Sequence, residues 1–224
     1  MNYFISASPG SASKTLLARF EQLTDSKYKS FKSGSGIGHI AININLGIKI
    51  LRFLGLTNFI KQKVYYQHFF PSKYNLSLLN YYIKDLHFII TYRNIYDQIN
   101  YLYKWNEKHG RCPLSFISHE KKNSIDMDDI ELNIDLLLNF YKLWFYLIQN
   151  RIVKNFTLFS FDEIVSQNKT YEDKMNDLFK NKNTILDISK NIYTKKSFDL
   201  DKYHLNRVER FFTNNNHIDF SLIK

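Results

Sequence analysis

The chain has one cysteine, three prolines, seven glycines and two tryptophans in 224 residues. A lone cysteine, Cys112, cannot close an intrachain disulfide, and no Cys/His spacing of a zinc type is present. Long hydrophobic runs are also lacking. The strongest, Leu132 to Val153, is broken by Asp135, Asn139 and Lys142, which argues for a buried core helix rather than a bilayer span. No basic segment followed by an apolar stretch opens the sequence, so no signal peptide is expected. These absences predict a soluble, cytoplasmic protein of a reducing compartment. Acidic residues are in deficit, 21 against 31 Lys and Arg, for a formal net charge of +10. That surplus favours an anionic partner, whether nucleotide, nucleic acid, acidic glycan or membrane surface, without choosing among them. An overall abundance of Lys would give the same surplus. The basic residues are dispersed rather than clustered with aromatics, which speaks against nucleic acid.

What is present is apolar and aromatic: hydrophobic residues make up 44% and aromatic residues 17%, too much for a disordered chain. The length suits one domain over residues 1–224, with a sizeable core. Apolar, β-prone runs at Asn2–Ser6, Lys63–His68, Leu86–Tyr92 and Phe156–Phe161 alternate with helical patterns. The helical patterns span Lys14–Leu23, His39–Leu54, Leu76–Ile83, Ile95–His109, Asp128–Arg151, Tyr171–Phe179 and Asp201–Phe212. This alternation predicts an α/β fold with a mainly parallel sheet. "DLHFIITYR" is apolar almost throughout, as a central parallel strand covered on both faces should be. Leu136, Phe140, Leu143 and Leu147 have helical spacing and read as core. Thr24–Gly38 and His109–Asp129 read as long loops, of the kind that carry function or move.

With so little glycine and proline, seven consecutive small residues from Ser6 to Ala12 stand out. They join the first strand to a helical pattern that begins with Ser13, Lys14 and Thr15. A phosphate-binding loop needs this layout. Small side chains let the backbone approach the anion, a helix N-terminus aims N–H groups at it, and a lysine and a hydroxyl add charge and a further bond. Against the pattern G-x-x-x-x-G-K-[ST], residues 8–15 read S-P-G-S-A-S-K-T, with serine at both glycine positions. An ordinary helix capped by Ser11 or Ser13 is the alternative.

Three segments in order resemble the sulfotransferase family that uses 3′-phosphoadenosine 5′-phosphosulfate (PAPS). "GSASKTLL" is similar to the family's P-[KR]-[SG]-G-[ST]-T-x-L loop. "FIITYRNIYDQINYLY" is similar to its strand followed by R-[ND]-P-x-[DE]-x-x-x-S, with Arg93, Asn94 and Asp97 in register. "FTLFSFDEIVSQN" resembles its short strand ending in an acidic turn, with Asp162, Glu163 and Ile164. "YYQHFFPSKYN" offers His68 and Pro71 where the family has an H-x-P-like turn. The resemblance touches most of residues 2–170. Ser11 replaces the family's first basic residue, Ile95 its proline, and Tyr101 its 3′-phosphate serine. No C-terminal adenosine segment aligns, although Lys195, Lys196 and Arg207 lie there.

The resemblance implies a P-loop-kinase-like, three-layer fold of a parallel sheet flanked by helices. It implies sulfuryl transfer from PAPS to a hydroxyl of a carbohydrate or other small acceptor, leaving adenosine 3′,5′-bisphosphate (PAP), with no metal. Ser11, Ala12, Ser13, Lys14, Thr15, Leu16, Arg93 and Tyr101 would bind the cofactor. Lys14 and His68 would be catalytic, His68 as general base. A surface ion pair with Asp97 is the alternative for Arg93. His39 and His87 read as structural, and Glu163 as a capping or scaffold carboxylate. The loops and residues 39–54 are candidate acceptor walls. A P-loop kinase or NTPase, and a non-catalytic polyanion-binding protein, remain alternatives.

Overall fold

A computed structural model describes residues 1–24, 29–30, 64–67, 71, 76–77, 85–109, 128–179 and 202–224. Its elements run β1 (Asn2–Ser6), α1 (Ser13–Thr24), β2 (Lys29–Ser30), β3 (Val64–Gln67), β4 (Leu86–Tyr92) and α2 (Ile95–His109). There follow α3 (Asp128–Gln149), β5 (Phe156–Ser160), α4 (Phe161–Ser166), α5 (Lys169–Phe179) and α6 (Lys202–Asn214). The strands form one sheet in the order β2-β3-β1-β4-β5, with every pairing parallel. The expected α/β class and parallel sheet are therefore present. The two-residue β2 falls inside a segment expected to be loop, its register set by pairing with β3. The expected helix over residues 39–54, with His39, lies outside the described residues. So do His68, Cys112, Lys195, Lys196 and most of the expected helix over 76–83.

Alternation along the strands divides the interior in two. Phe4, Phe88 and Ile90 face α2, α3 and α6, and join Ile99, Leu137, Trp144, Val208 and Phe220 in one cluster. Tyr3, Ile5 and Ile89 face the other way, to Leu16 and Phe20 of α1, Ile164 of α4 and Met175 of α5. The architecture is thus three layers, helix–sheet–helix. Central β4 is buried on both faces, which is why its sequence is a run rather than an alternation. Trp144 is fully buried, and its indole N–H donates to Ser6 Oγ at 3.0 Å, tying α3 to the end of β1. On α3 the expected stripe is only half right. Phe140 and Leu147 are buried, but Leu136 and Leu143 are half-buried, and Leu137, Tyr141 and Trp144 carry the contact.

Local chemistry sets the ends of the elements. Asn94 accepts from the N–H groups of Tyr96 (3.0 Å) and Asp97 (3.2 Å), capping α2. Ser160 and Glu163 form a capping box at the start of α4. The chain's last described residues close over α2: Ile95 N–H donates to Ile223 O at 2.8 Å, and Asn94 Nδ2 to Lys224 O. Among the described residues, no helix is long and apolar enough to cross a membrane.

Candidate anion-binding site

β1 lies between β3 and β4. The chain leaves β1 towards β3 and leaves β4 towards β5, so their C-terminal ends flank the point where the winding changes direction. Open parallel sheets bind ligands in that crevice. Two connections meet there: residues 7–12 after β1, and Arg93–Asn94 after β4.

The first connection turns at Pro9 and Gly10 and reaches α1 through two left-handed residues, Gly10 (φ 73°) and Ala12 (φ 57°). Gly10 is obligatory for two reasons. A side chain is disfavoured at that φ, and a Cβ would fall 2.5 Å from a ring carbon of Tyr101. Ala12 holds its conformation at a cost of about 1–2 kcal/mol, and its carbonyl then accepts from Thr15 (3.0 Å) and Leu16 (3.3 Å).

Neither serine caps α1. Ser11 Oγ donates to Ser8 O (2.6 Å) and meets Thr91 Oγ1 (2.6 Å), while Ser13 Oγ meets Tyr66 OH (3.1 Å). The first turn of α1 contains no acidic residue. The N–H groups of Ala12, Ser13 and Lys14 take no acceptor among the described residues. Exposed Lys14 sits on this positive helix end, where a cation is unfavourable unless an anion joins it. The half-buried Thr15 adds a hydroxyl, and Leu16 is fully buried in the core beneath.

From the other side, Arg93 reaches towards the loop. Its Nη1 donates to Gly10 O at 3.2 Å, and its guanidinium lies 4.0 Å from the centroid of the Phe161 ring. Its Nε is buried and takes no acceptor among the described residues. Burial pulls the Arg93 pKa down, against the opposing pull of Asp97 and Asp162. The guanidinium stays charged in any protein, so a half-buried cation, its Nε without an acceptor among the described residues, bonds the loop that carries the Ala12, Ser13 and Lys14 N–H groups. Arg93 thus bonds the loop while lying in the field of Asp97 and Asp162.

Below lies a closed polar network that the sequence did not reveal. Ser8, Ser11, Thr91, Gln98 and Tyr141 are all fully buried. Tyr141 OH donates to Gln98 Oε1 (2.6 Å), accepts the Arg93 N–H (3.1 Å) and meets Ser8 Oγ (3.0 Å). Gln98 Nε2 donates to Ser8 Oγ (2.8 Å) and to Pro9 O. Burial pushes the Tyr141 pKa up to about 12, so its hydroxyl keeps its proton. One signal was legible in principle: Gln98 shares the apolar stripe of Ile95, Ile99 and Leu102, and a polar group on such a stripe needs buried partners.

The structure therefore brings together Ser11, Ala12, Ser13, Lys14, Thr15, Arg93 and Tyr101. Tyr101, at the family's serine position, presents its ring to Gly10 and lies 5.9 Å from the Trp105 ring. His68 lies outside the described residues, although Pro71, three positions on, is buried. His87 bonds Thr157 Oγ1 through Nε2 at 2.9 Å, a structural role. Glu163 accepts from Ser160 N–H (3.0 Å) and pairs with Lys174 (2.8 Å), a scaffold role. Arg207 is committed to Asp135 (2.7 Å) and Glu131, holding α6 against α3. Among the described residues, no group of three or more His, Cys, Asp or Glu is placed to hold a metal ion. The chain matches no protein-family model and no curated protein.

Proposed function

We propose that the protein is a PAPS-dependent sulfotransferase of P-loop-kinase-like fold, acting on a hydroxyl of a carbohydrate or other small acceptor. The observation that carries the reading is the pairing of two cationic elements at the switch point. One is the loop at residues 10–15, with Lys14 and the N–H groups of Ala12, Ser13 and Lys14 that take no acceptor among the described residues; the other is Arg93, bonded to Gly10 O, whose buried Nε takes none there either. The strand order supports it by setting both connections at the C-terminal ends of neighbouring strands.

The donor set suits a ligand with two separated anionic groups. The segment Ser11 to Leu16 would hold the 5′-phosphosulfate end through the N–H groups of Ala12, Ser13 and Lys14, the Lys14 ammonium and the Thr15 hydroxyl. Arg93 would hold the 3′-phosphate, with Tyr101 packed beside it in place of a serine hydroxyl. Bound there, PAPS supplies an activated sulfuryl group for transfer to the acceptor. Lys14 and the loop amides are donors fixed where negative charge would grow, and such preorganised donors stabilise a transition state. His68 is the proposed base that takes the acceptor's proton.

Calorimetry with PAP, 5′-AMP and ATP, with and without Mg2+, tests the reading. PAP should bind more tightly than 5′-AMP by the worth of a charge-assisted contact, about 1.5–3 kcal/mol. Equal affinities would remove the assignment of Arg93. ATP binding that strictly requires Mg2+ would instead favour a P-loop kinase.

A further inference from the structure

Resting on that reading, we infer that Tyr141 and Gln98 are positioning residues, a buried gauge that fixes the spacing between the loop and Arg93. Tyr141 is bonded to both halves of the site. It accepts the Arg93 N–H from the β4–α2 turn and meets Ser8 of the loop. Gln98 completes the bridge through Ser8 Oγ and Pro9 O.

The protons in this network are closely constrained. The Tyr141 proton goes to Gln98 Oε1, so Ser8 does not receive it, and the Ser8 proton is shared between Tyr141 OH (3.0 Å) and Thr91 O (3.4 Å). Gln98 spends its two N–H bonds on Ser8 Oγ and Pro9 O. Ser11 gives its proton to Ser8 O, so Thr91 donates to Ser11. The Tyr141 oxygen donates once and accepts the Arg93 N–H, with Ser8 Oγ within reach of its remaining lone pair. Every member is committed, and a fully satisfied buried network has little freedom to shift. The distance between the two anion contacts is therefore set from α2 and α3, remote from any ligand. It should act on ligands that span both contacts and hardly at all on ligands that use only one.

The experiment is the ratio of dissociation constants for 5′-AMP and PAP, measured by calorimetry on the intact chain. Variants are Tyr141→Phe, which keeps the ring and removes the hydroxyl, and Gln98→Met, which keeps the shape and removes the bonds. Phe140→Leu, one residue from Tyr141 but outside the network, is the stability control. In the parent protein the ratio should be roughly 10–100, from one charge-assisted contact. In Tyr141→Phe and Gln98→Met it should collapse to within about threefold of unity, since the network that fixes the spacing is broken. In Phe140→Leu it should stay at the parent value even as the melting temperature drops. A general loss of stability would weaken both ligands together and leave the ratio alone. Should Tyr141→Phe not fold, Gln98→Met decides. An unchanged ratio in a folded Tyr141→Phe or Gln98→Met would overturn the gauge. A parent ratio of one would instead overturn the reading of the site on which the gauge rests.

Discussion

Gly10→Ala is the most direct probe of the loop. Two costs follow from the geometry. The residue sits at φ 73°, where a side chain costs about 1–2 kcal/mol. The added methyl would also lie 2.5, 2.8 and 2.9 Å from three atoms of the Tyr101 ring. Overpacking of that kind costs about 1–3 kcal/mol. Together the variant should lose roughly 2–5 kcal/mol, and melt lower by about 2–4 °C per kcal/mol for a chain of this size. The two costs separate in a double-mutant cycle with Tyr101→Ala. That second change removes the clash and leaves the backbone strain, so the pair should show a favourable coupling of about 1–3 kcal/mol. Denaturant unfolding of the four proteins measures it. A Gly10→Ala protein within about 0.5 kcal/mol of the parent, the range of an ordinary surface substitution, would refute the geometry. Full loss of stability without any coupling to Tyr101 would refute the close approach and leave only the strain.

On the proposed reading, Lys14→Ala should lower turnover more than it weakens PAP binding, because Lys14 would meet charge that grows in the transition state. Arg93→Ala should do the reverse, weakening PAP binding by about 1.5–3 kcal/mol. Parent-like kinetics and binding in both would place the site elsewhere. His68→Asn should lose on the order of 10²–10⁴ in rate with PAP affinity unchanged, and full activity would show that another group takes the proton. Burial holds the His87 pKa below its ordinary value. The unfolded chain therefore binds that proton more readily, and the associated stability is complete above about pH 6.5 and declines as pH falls towards the native pKa. Unfolding midpoints at pH 7.5 and 5.5 should diverge less in His87→Gln than in the parent; equal divergence would count against His87 as the source.

The parts that sequence disclosed are those that depend on local pattern. β1, β4 and α2 have the expected bounds because an apolar run of strand length between polar residues has few other meanings, and because Asn94 and Asp97 mark a helix start. The loop was legible because small residues before a lysine are rare in a chain so poor in glycine. The polar floor was not, because Thr91 and Tyr141 read as ordinary members of apolar segments until the sheet brings them under Ser8. Tyr101 was aligned as a ligand contact, and only the fold shows its ring covering Gly10. The missing cap of α1 was equally hidden: Ser11 and Ser13 both look like caps, but tertiary partners claim their hydroxyls.

The place of β1 has a consequence for how the protein reaches this state. The strand precedes both its neighbours in the chain, with Tyr3 opposite Val64 and Asn2 opposite Leu86. Closing either loop costs roughly 4 kcal/mol of chain entropy, and the two costs differ by only a few tenths. Loop length therefore does not decide which neighbour arrives first, and side-chain content does. β4 offers five paired residues and buried apolar groups on both faces, whereas β3 offers four pairs. The β1–β4 ribbon is accordingly the expected nucleus, and non-local pairing of that kind slows folding. The same ribbon carries Thr91 under Ser8 and Ser11. Thr91, the strand-borne part of the loop's polar floor, would thus be in place with that ribbon, before Gln98 and Tyr141 arrive on α2 and α3.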